Sequence, residues 1–359
     1  MKQELKEIFL KLAAVPGVSG HEGPIAEALK AMFEPRVDDV RIDPMGNVIA
    51  RKDGSAPGPK LMLGCHLDTI GCIVRSIDQN GFLRMFRMGG AVDVLLIGRK
   101  VWVNDVPGVV GVRPGHIQRP EESRVVTPLA DLYVDVGAGS AQEVADLGIE
   151  IGSPVRYHSP VEEMSDPDLL CGAYIDNRIG CAILVYLMRE LEPDFAGSIY
   201  AVGTTHEETG WRGGQMTAFT VDPDLAVAVD TTPAGGTPDV DFDKELPIKI
   251  GLGPVLQVAS QGPGAGFTGH PAVMRWLRSA ADGANLPYQL AALQNANTDA
   301  VLIHMARGGI PTAALTIPRR YSHSPVELFN INDAVTTIQI LQNAIPALGA
   351  LKIEFSENA

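Results

Sequence analysis

The pattern of apolar and polar positions divides the chain into three stretches. Residues 2–14 and 24–33 set apolar side chains at helical spacing among charged ones, which predicts two amphipathic helices. The apolar run KLMLG at 60–64 then predicts a buried strand. Beyond residue 70 the period changes. IGCIVRSIDQNGFLRMFRMGG reads as strand, Asn80–Gly81 turn, strand. KVWVNDVPGVVGV and DLYVDVG continue as short β segments punctuated by Gly and Pro, and only SAQEVADLG, at 140–148, reads as helix.

From about residue 165 helix and strand alternate again. Helices are predicted over 176–191, 270–284, 298–309 and about 332–348, and strands over 198–203, 225–230 and 311–318. Such alternation argues an α/β fold with a largely parallel sheet flanked by helices. The β-rich stretch interrupts it, which divides the chain into an α/β domain at 1–69 plus 161–359 and an inserted β-rich domain at 70–160.

Composition narrows the function classes. With 359 residues, 45% of them hydrophobic, the chain can bury a large core. A formal charge of −14 argues against the basic stripe of a nucleic-acid binder. The first helix lacks the uninterrupted apolar stretch of a signal peptide. The densest apolar run, CAILVYLM at 181–188, is far too short for a bilayer. Cys65, Cys72, Cys171 and Cys181 form no CxxC pair and suit a reduced compartment, so a soluble cytoplasmic protein is expected. The glycine-rich segment 260–270 lacks the layout of a phosphate loop and reads as a flexible loop near the substrate.

The chemistry gathers at strand ends. KLMLG runs into CHLD, with His66 and Asp68; SIYAVG runs into TTHEE, with Glu207 and Glu208; LAVAV ends in Asp230; PTAALTIP runs into RRYSH, with His323. Asp176 stands at the start of the long helix. In open α/β sheets ligands bind beyond the carboxyl ends of the strands, so these residues share one rim. Taken singly, each has an ordinary role: Asp176 as a helix cap, Asp230 as a turn residue, His323 as a loop histidine. Taken together, two His and several carboxylates without Cys suit zinc, cobalt or manganese. They are more than one tetrahedral ion needs, and two ions sharing a carboxylate would use them all.

These residues lie in motifs that resemble the tetrahedral, or TET, aminopeptidases, relatives of the glutamyl and deblocking aminopeptidases. The resemblance runs nearly end to end through GVSGHEGPIAEAL, DPMGNVIA, CHLDTIG, GAYIDNRIG, HEETGWRGG, AVAVDTTPAG and IPRRYSHSPVE. It implies a fold of the dinuclear zinc exopeptidase type with an inserted PDZ-like dimerisation domain. It further implies that His66, Asp230, Glu208 and His323 bind two divalent ions, zinc or cobalt with manganese as a third candidate, and that Asp176 bridges them. Glu207 would be the general base on a metal-bridging water, and Asp68 would accept the other ring N–H of His66 and fix its tautomer. The implied activity is release of N-terminal residues from short peptides by a homo-oligomer, a dodecamer built from dimers. Flanking departures at His206, Thr209 and Thr69 touch no ligand and leave substrate preference open.

Two other classes compete. A glycosidase of endoglucanase type would use paired carboxylates without metal, but leaves His66 and His323 unexplained. A non-catalytic peptide-binding protein would have no use for seven such residues. A glutamyl-preferring pocket needs a cation, and Arg178, Arg212, Arg319 and Arg320 border the motifs; among so many carboxylates, structural ion pairing is the expected role of each.

Overall fold

The computed structural model describes residues 1–356 apart from positions 120, 122, 123 and 263. Twelve of its strands form one sheet and six close into a barrel. At the sheet's centre Ala56–His66 lies between Ala196–Thr204 and Leu225–Pro233, and Leu225–Pro233 pairs with Thr312–Arg320; all these pairings are parallel. Leu225–Thr232 and Thr312–Pro318 are buried throughout, the near-continuous apolar pattern of strands covered on both faces. Beyond this centre, Val255–Gly262 and Gln289–Gln294 form one further parallel pair. The margins, Asp39–Ile42 with Val48–Asp53 on one side and Glu327–Asn330, Leu169–Gly172 and Glu162–Glu163 on the other, are antiparallel.

The helix Ile175–Glu190 packs against the two middle strands, and the helices Lys2–Ala13 and Ile331–Ala344 pack against it in turn. That arrangement explains why CAILVYLM has no polar face. Its start differs from an ordinary helix: Asp176 and Asn177 have non-helical backbone angles. Asn177, not Asp176, caps the regular helix, its Oδ1 accepting from Gly180 N at 3.0 Å.

Three elements depart from the sequence expectation. The helix expected over 298–309 is short, Ala300–Ile303, and the chain turns through positive φ at Arg307 and Gly309. A helix at Arg212–Val221 was hidden by Gly213 and Gly214, poor helix formers. Gly213 is needed there, because a Cβ would lie 2.4 Å from the Thr205 carbonyl oxygen. The segment read as a flexible loop is instead the antiparallel hairpin Val255–Gly262 and Ala265–Thr268, an outgrowth of the main sheet whose glycines obscured the strand alternation.

The barrel runs Gly71–Ile77, Leu83–Met88, Val134–Asp135, Val106–Val110, Lys100–Val103, Pro154–Tyr157 in spatial order. It has a core of its own that includes Val74, Leu83, Val101, Val110, Val134 and Val155. The expected hairpin is present, with Gly81 at φ +86° in its turn. Helix Ala141–Asp146 is capped by Ser140, whose Oγ accepts from Glu143 N at 3.2 Å. Among the described residues no helix is long and apolar enough to cross a membrane.

Candidate metal centre

His66 is the last residue of its central strand and is buried. Its Nδ1 lies 2.9 Å from the Asp68 carbonyl oxygen. With the ring proton donated there, Nε2 faces Asp176 Oδ1 at 3.1 Å and Asp230 Oδ1 at 3.4 Å. A lone pair aimed at two carboxylates calls for a cation between them. Burial opposes a charge on the ring, but Asp230, Glu207 and the contact with Asp176 outweigh it and raise the His66 pKa well above its ordinary value.

Asp176 joins two groups of donors. Its Oδ1 also accepts from Thr231 Oγ1 at 2.9 Å, while Oδ2 accepts from Arg319 Nη2 and lies 3.4 Å from His323 Nε2. Burial acts against its ionisation, yet Arg319, His323 and His66 hold the carboxyl well below the usual range. His323 Nε2 is 3.6 Å from Glu208 Oε2. Burial, with Asp176 adding to it against the pull of His323, pushes Glu208 up to about 7. His323 rises to about 9, because Glu208 and Asp176 outweigh its own burial.

Donor atoms of His66, Asp176 and Asp230 all lie within 4.8 Å of one another, and so do those of Asp176, Glu208 and His323. Glu208 Oε1 is buried without a hydrogen-bond partner. Two imidazoles, three carboxylates and an orphaned carboxylate oxygen form a set that fits divalent ions of the zinc, cobalt and manganese kind, with Asp176 common to both groups.

The resemblance gave the Asp68 carboxylate the ring N–H of His66. The Asp68 carbonyl takes that proton instead, and the nearer carboxylate oxygen stands off at 3.5 Å. The carboxylate accepts from Ser19 Oγ at 2.5 Å, Glu207 N at 3.0 Å and Glu208 N at 3.2 Å. Glu207 belongs to neither donor group, its Oε2 standing 4.0 Å from His66 Nε2. Burial, reinforced by Asp230 and Glu208 against the opposing effect of His66, raises its pKa well above the carboxylate range.

All seven sequence-selected residues therefore meet at one place, and six of them line a cavity of about 340 Å³, with Asp68 behind it. Sequence reading missed three supports, Glu327, Ser19 and Gly90, while Arg319 takes the structural ion-pairing role expected of it. Glu327 accepts the backbone N–H of both Asp176 (3.1 Å) and His323 (3.0 Å). Arg319 Nη1 lies 3.1 Å from Glu327 Oε1 and its Nε donates to Thr231 Oγ1 at 2.6 Å. Ser19 holds Asp68 from the first loop. Gly90, at the end of the barrel's first hairpin, approaches His323 so closely that a Cβ would lie 2.3 Å from Nδ1. Glu327 sits in the quoted SPVE motif, the only signal that could have singled it out.

Carboxylates and imidazoles gathered at the carboxyl ends of parallel strands, around an open cavity, define a metal-dependent hydrolase of the α/β class. The chain belongs to the M42 glutamyl aminopeptidase family, which it matches over residues 46–340, and it is a metallo-aminopeptidase. It is 33% identical over 349 residues to the lysyl aminopeptidase of Pyrococcus furiosus, covering 95% of this chain and 97% of that one. Its fold is similar to aminopeptidase APDkam598 from the archaeon Desulfurococcus kamchatkensis, with a TM-score of 0.91, 29% identity and 98% of each chain covered. It is also similar to Pyrococcus horikoshii TET1 peptidase, which can assemble into a tetrahedron or a large octahedral shell (TM-score 0.82, 26% identity, covering 95% of this chain and 99% of that one).

Proposed function

We propose that this aminopeptidase is dinuclear, removing the first residue of short peptides with Glu207 as general base. The observation that carries the reading is the pair of donor groups sharing Asp176, with one cavity-lining carboxylate, Glu207, left outside both. His66 and Asp230 would hold one ion, Glu208 and His323 the other, and Asp176 both. Bound there, zinc or cobalt, or manganese, would supply Lewis acidity that acidifies water and polarises the scissile carbonyl. Glu207 takes the proton of the attacking water and passes it to the leaving amine. Asp68 holds the backbone of the Glu207–Glu208 pair and, through its carbonyl, the His66 tautomer. Arg319 and Glu327 hold Asp176 in place.

Glu207→Gln tests the assignment. The variant retains two ions per chain by elemental analysis and loses turnover of a leucine-initiated peptide; loss of metal from the variant would remove Glu207 from the base role. The N-acetylated twin of that peptide stays intact with the native enzyme, and a chelator abolishes release of leucine.

The protein works as a cytoplasmic homo-oligomer, a dodecamer built from dimers, with the insert at 70–160 as its PDZ-like dimerisation module. The similarity to TET1 peptidase supports the assembly, and a sizing column tests it: a monomer peak would sink the cage.

A further inference from the structure

Besides the candidate ligands, the residues lining the cavity include Trp211, Gly262, Asn295, Asn297 and Ser322. Asn297 Oδ1 accepts from Ser260 Oγ at 2.9 Å, which leaves its Nδ2 as donor. A Cβ on Gly262 would meet Asn297 Nδ2 at 2.9 Å and Asn295 Oδ1 at 3.5 Å. The missing side chain thus leaves a space with a donor and an acceptor standing side by side.

No free cation faces that space among the described residues. Arg319 is the one guanidinium lining the cavity, and it is committed to Asp176, Glu327 and Thr231. Arg178 is wholly buried and donates to the carbonyls of Leu67 and Val15. Arg320 reaches the Gly236 carbonyl at 3.4 Å, and neither it nor Arg212 lines the cavity. His66 and His323 point into the two donor groups.

We propose that this neutral wall selects peptides whose first side chain bears an amide or hydroxyl over those bearing a carboxylate, with Asn295 and Asn297 as the specificity-determining residues. The proposal rests on the aminopeptidase reading above and names its substrate class. A carboxamide exchanges a donor and an acceptor with the two asparagines. A carboxylate of the same shape has no donor to offer Asn295 Oδ1 and finds no counter-charge on that wall. A site built to hydrogen-bond one isostere rejects the other by much more than a site sorting apolar groups by size.

The test compares kcat/KM of the metal-loaded enzyme for Gln-Ala-Ala, Glu-Ala-Ala and Leu-Ala-Ala, followed by mass spectrometry of the released amino acid. Gln-Ala-Ala is expected to exceed Glu-Ala-Ala by roughly tenfold or more. Asn295→Lys, at an exposed position, places a cation in the pocket and is expected to raise the Glu/Gln ratio by about tenfold. Equal use of Gln and Glu, or a Glu/Gln ratio unmoved in the variant, overturns the pocket assignment and leaves the aminopeptidase standing. Failure to release any of the three first residues, leucine included, overturns both.

Discussion

Asp68 Oδ1 accepts the backbone N–H of Glu207 at 3.0 Å, so the carboxylate that follows one central strand holds the turn that follows another. The same carboxylate takes Glu208 N and Ser19 Oγ, and it is completely buried. Ser19, Asp68 and the Glu207–Glu208 pair form one rigid unit drawn from three separate parts of the chain.

Replacing Asp68 by Asn leaves one carbonyl oxygen where two oxygens served three donors, so one backbone N–H of the Glu pair loses its partner. Outer-shell changes of this kind typically cost 10–100-fold in activity or metal affinity. Asp68→Asn is expected to lower kcat by about that factor at saturating metal, with KM changed far less. A KM effect with kcat unchanged would place Asp68 in substrate binding instead.

Gly90 makes the barrel part of the site. A methyl group there would overlap the His323 ring, 2.3 Å from Nδ1 and 2.7 Å from Cε1, and the nearest relief is rotation of the imidazole away from Glu208 and Asp176. On the dinuclear reading, Gly90→Ala should weaken the ion held by Glu208 and His323 while sparing the His66 group. Isothermal titration with zinc is expected to show one site unchanged and one weakened, roughly 10-fold or more. Two unaltered sites would mean that the hairpin, not the ring, gives way.

Arg319 offers a case where a cation already stands at the carboxylate common to both donor groups. Its guanidinium lies between Asp176 and Glu327, all three buried. Removing one partner of a buried ionic cluster typically costs about 3–5 kcal/mol because the others are left uncompensated. Arg319→Met is therefore expected to lower the Tm of the chelator-treated protein markedly. Divalent ions bind only the folded donor groups and supply Asp176 with positive charge again, so the metal-induced rise in Tm becomes larger in the variant than in the native protein. Equal metal-induced shifts would show that Arg319 and the ions do not act on the same carboxylate.

The sequence displayed the site better than its scaffolding, for a physical reason. His66, Glu207, Glu208, Asp230 and His323 each end or follow an apolar run, and strand polarity brings such positions to one rim. Glu327 meets Asp176 across 151 residues through backbone hydrogen bonding, which leaves no local periodicity to read. Gly90 acts through the absence of a side chain, and no residue pattern marks which glycine sits against an imidazole. In the fold, the parallel centre was legible as buried apolar runs, whereas the antiparallel margins rest on short strands such as Glu327–Asn330 that carry too few residues for a period. The Gly213–Gly214 helix escaped because its close approach to Thr205 overrides propensity.

Asp333 supplies a pH dependence that is remote from the metal ligands. It lies in the first turn of the last long helix, is buried, and accepts from Gly251 N at 2.7 Å and Gly253 N at 2.8 Å. Burial pushes its carboxyl from the ordinary 3.8 up to about 6, even though the two amides favour the charged form. Because the folded pKa lies above the unfolded one, the native state holds this proton more tightly. Its contribution to stability is full below about pH 4 and is lost as pH rises through 6, a change of about 3 kcal/mol. Asp333→Asn cannot titrate and keeps one amide acceptor. Between pH 4 and 7 the native protein is expected to lose stability relative to the variant by about that amount, read as a converging or crossing pair of Tm-versus-pH curves. Parallel curves would show that Asp333 ionises alike in the folded and unfolded chain.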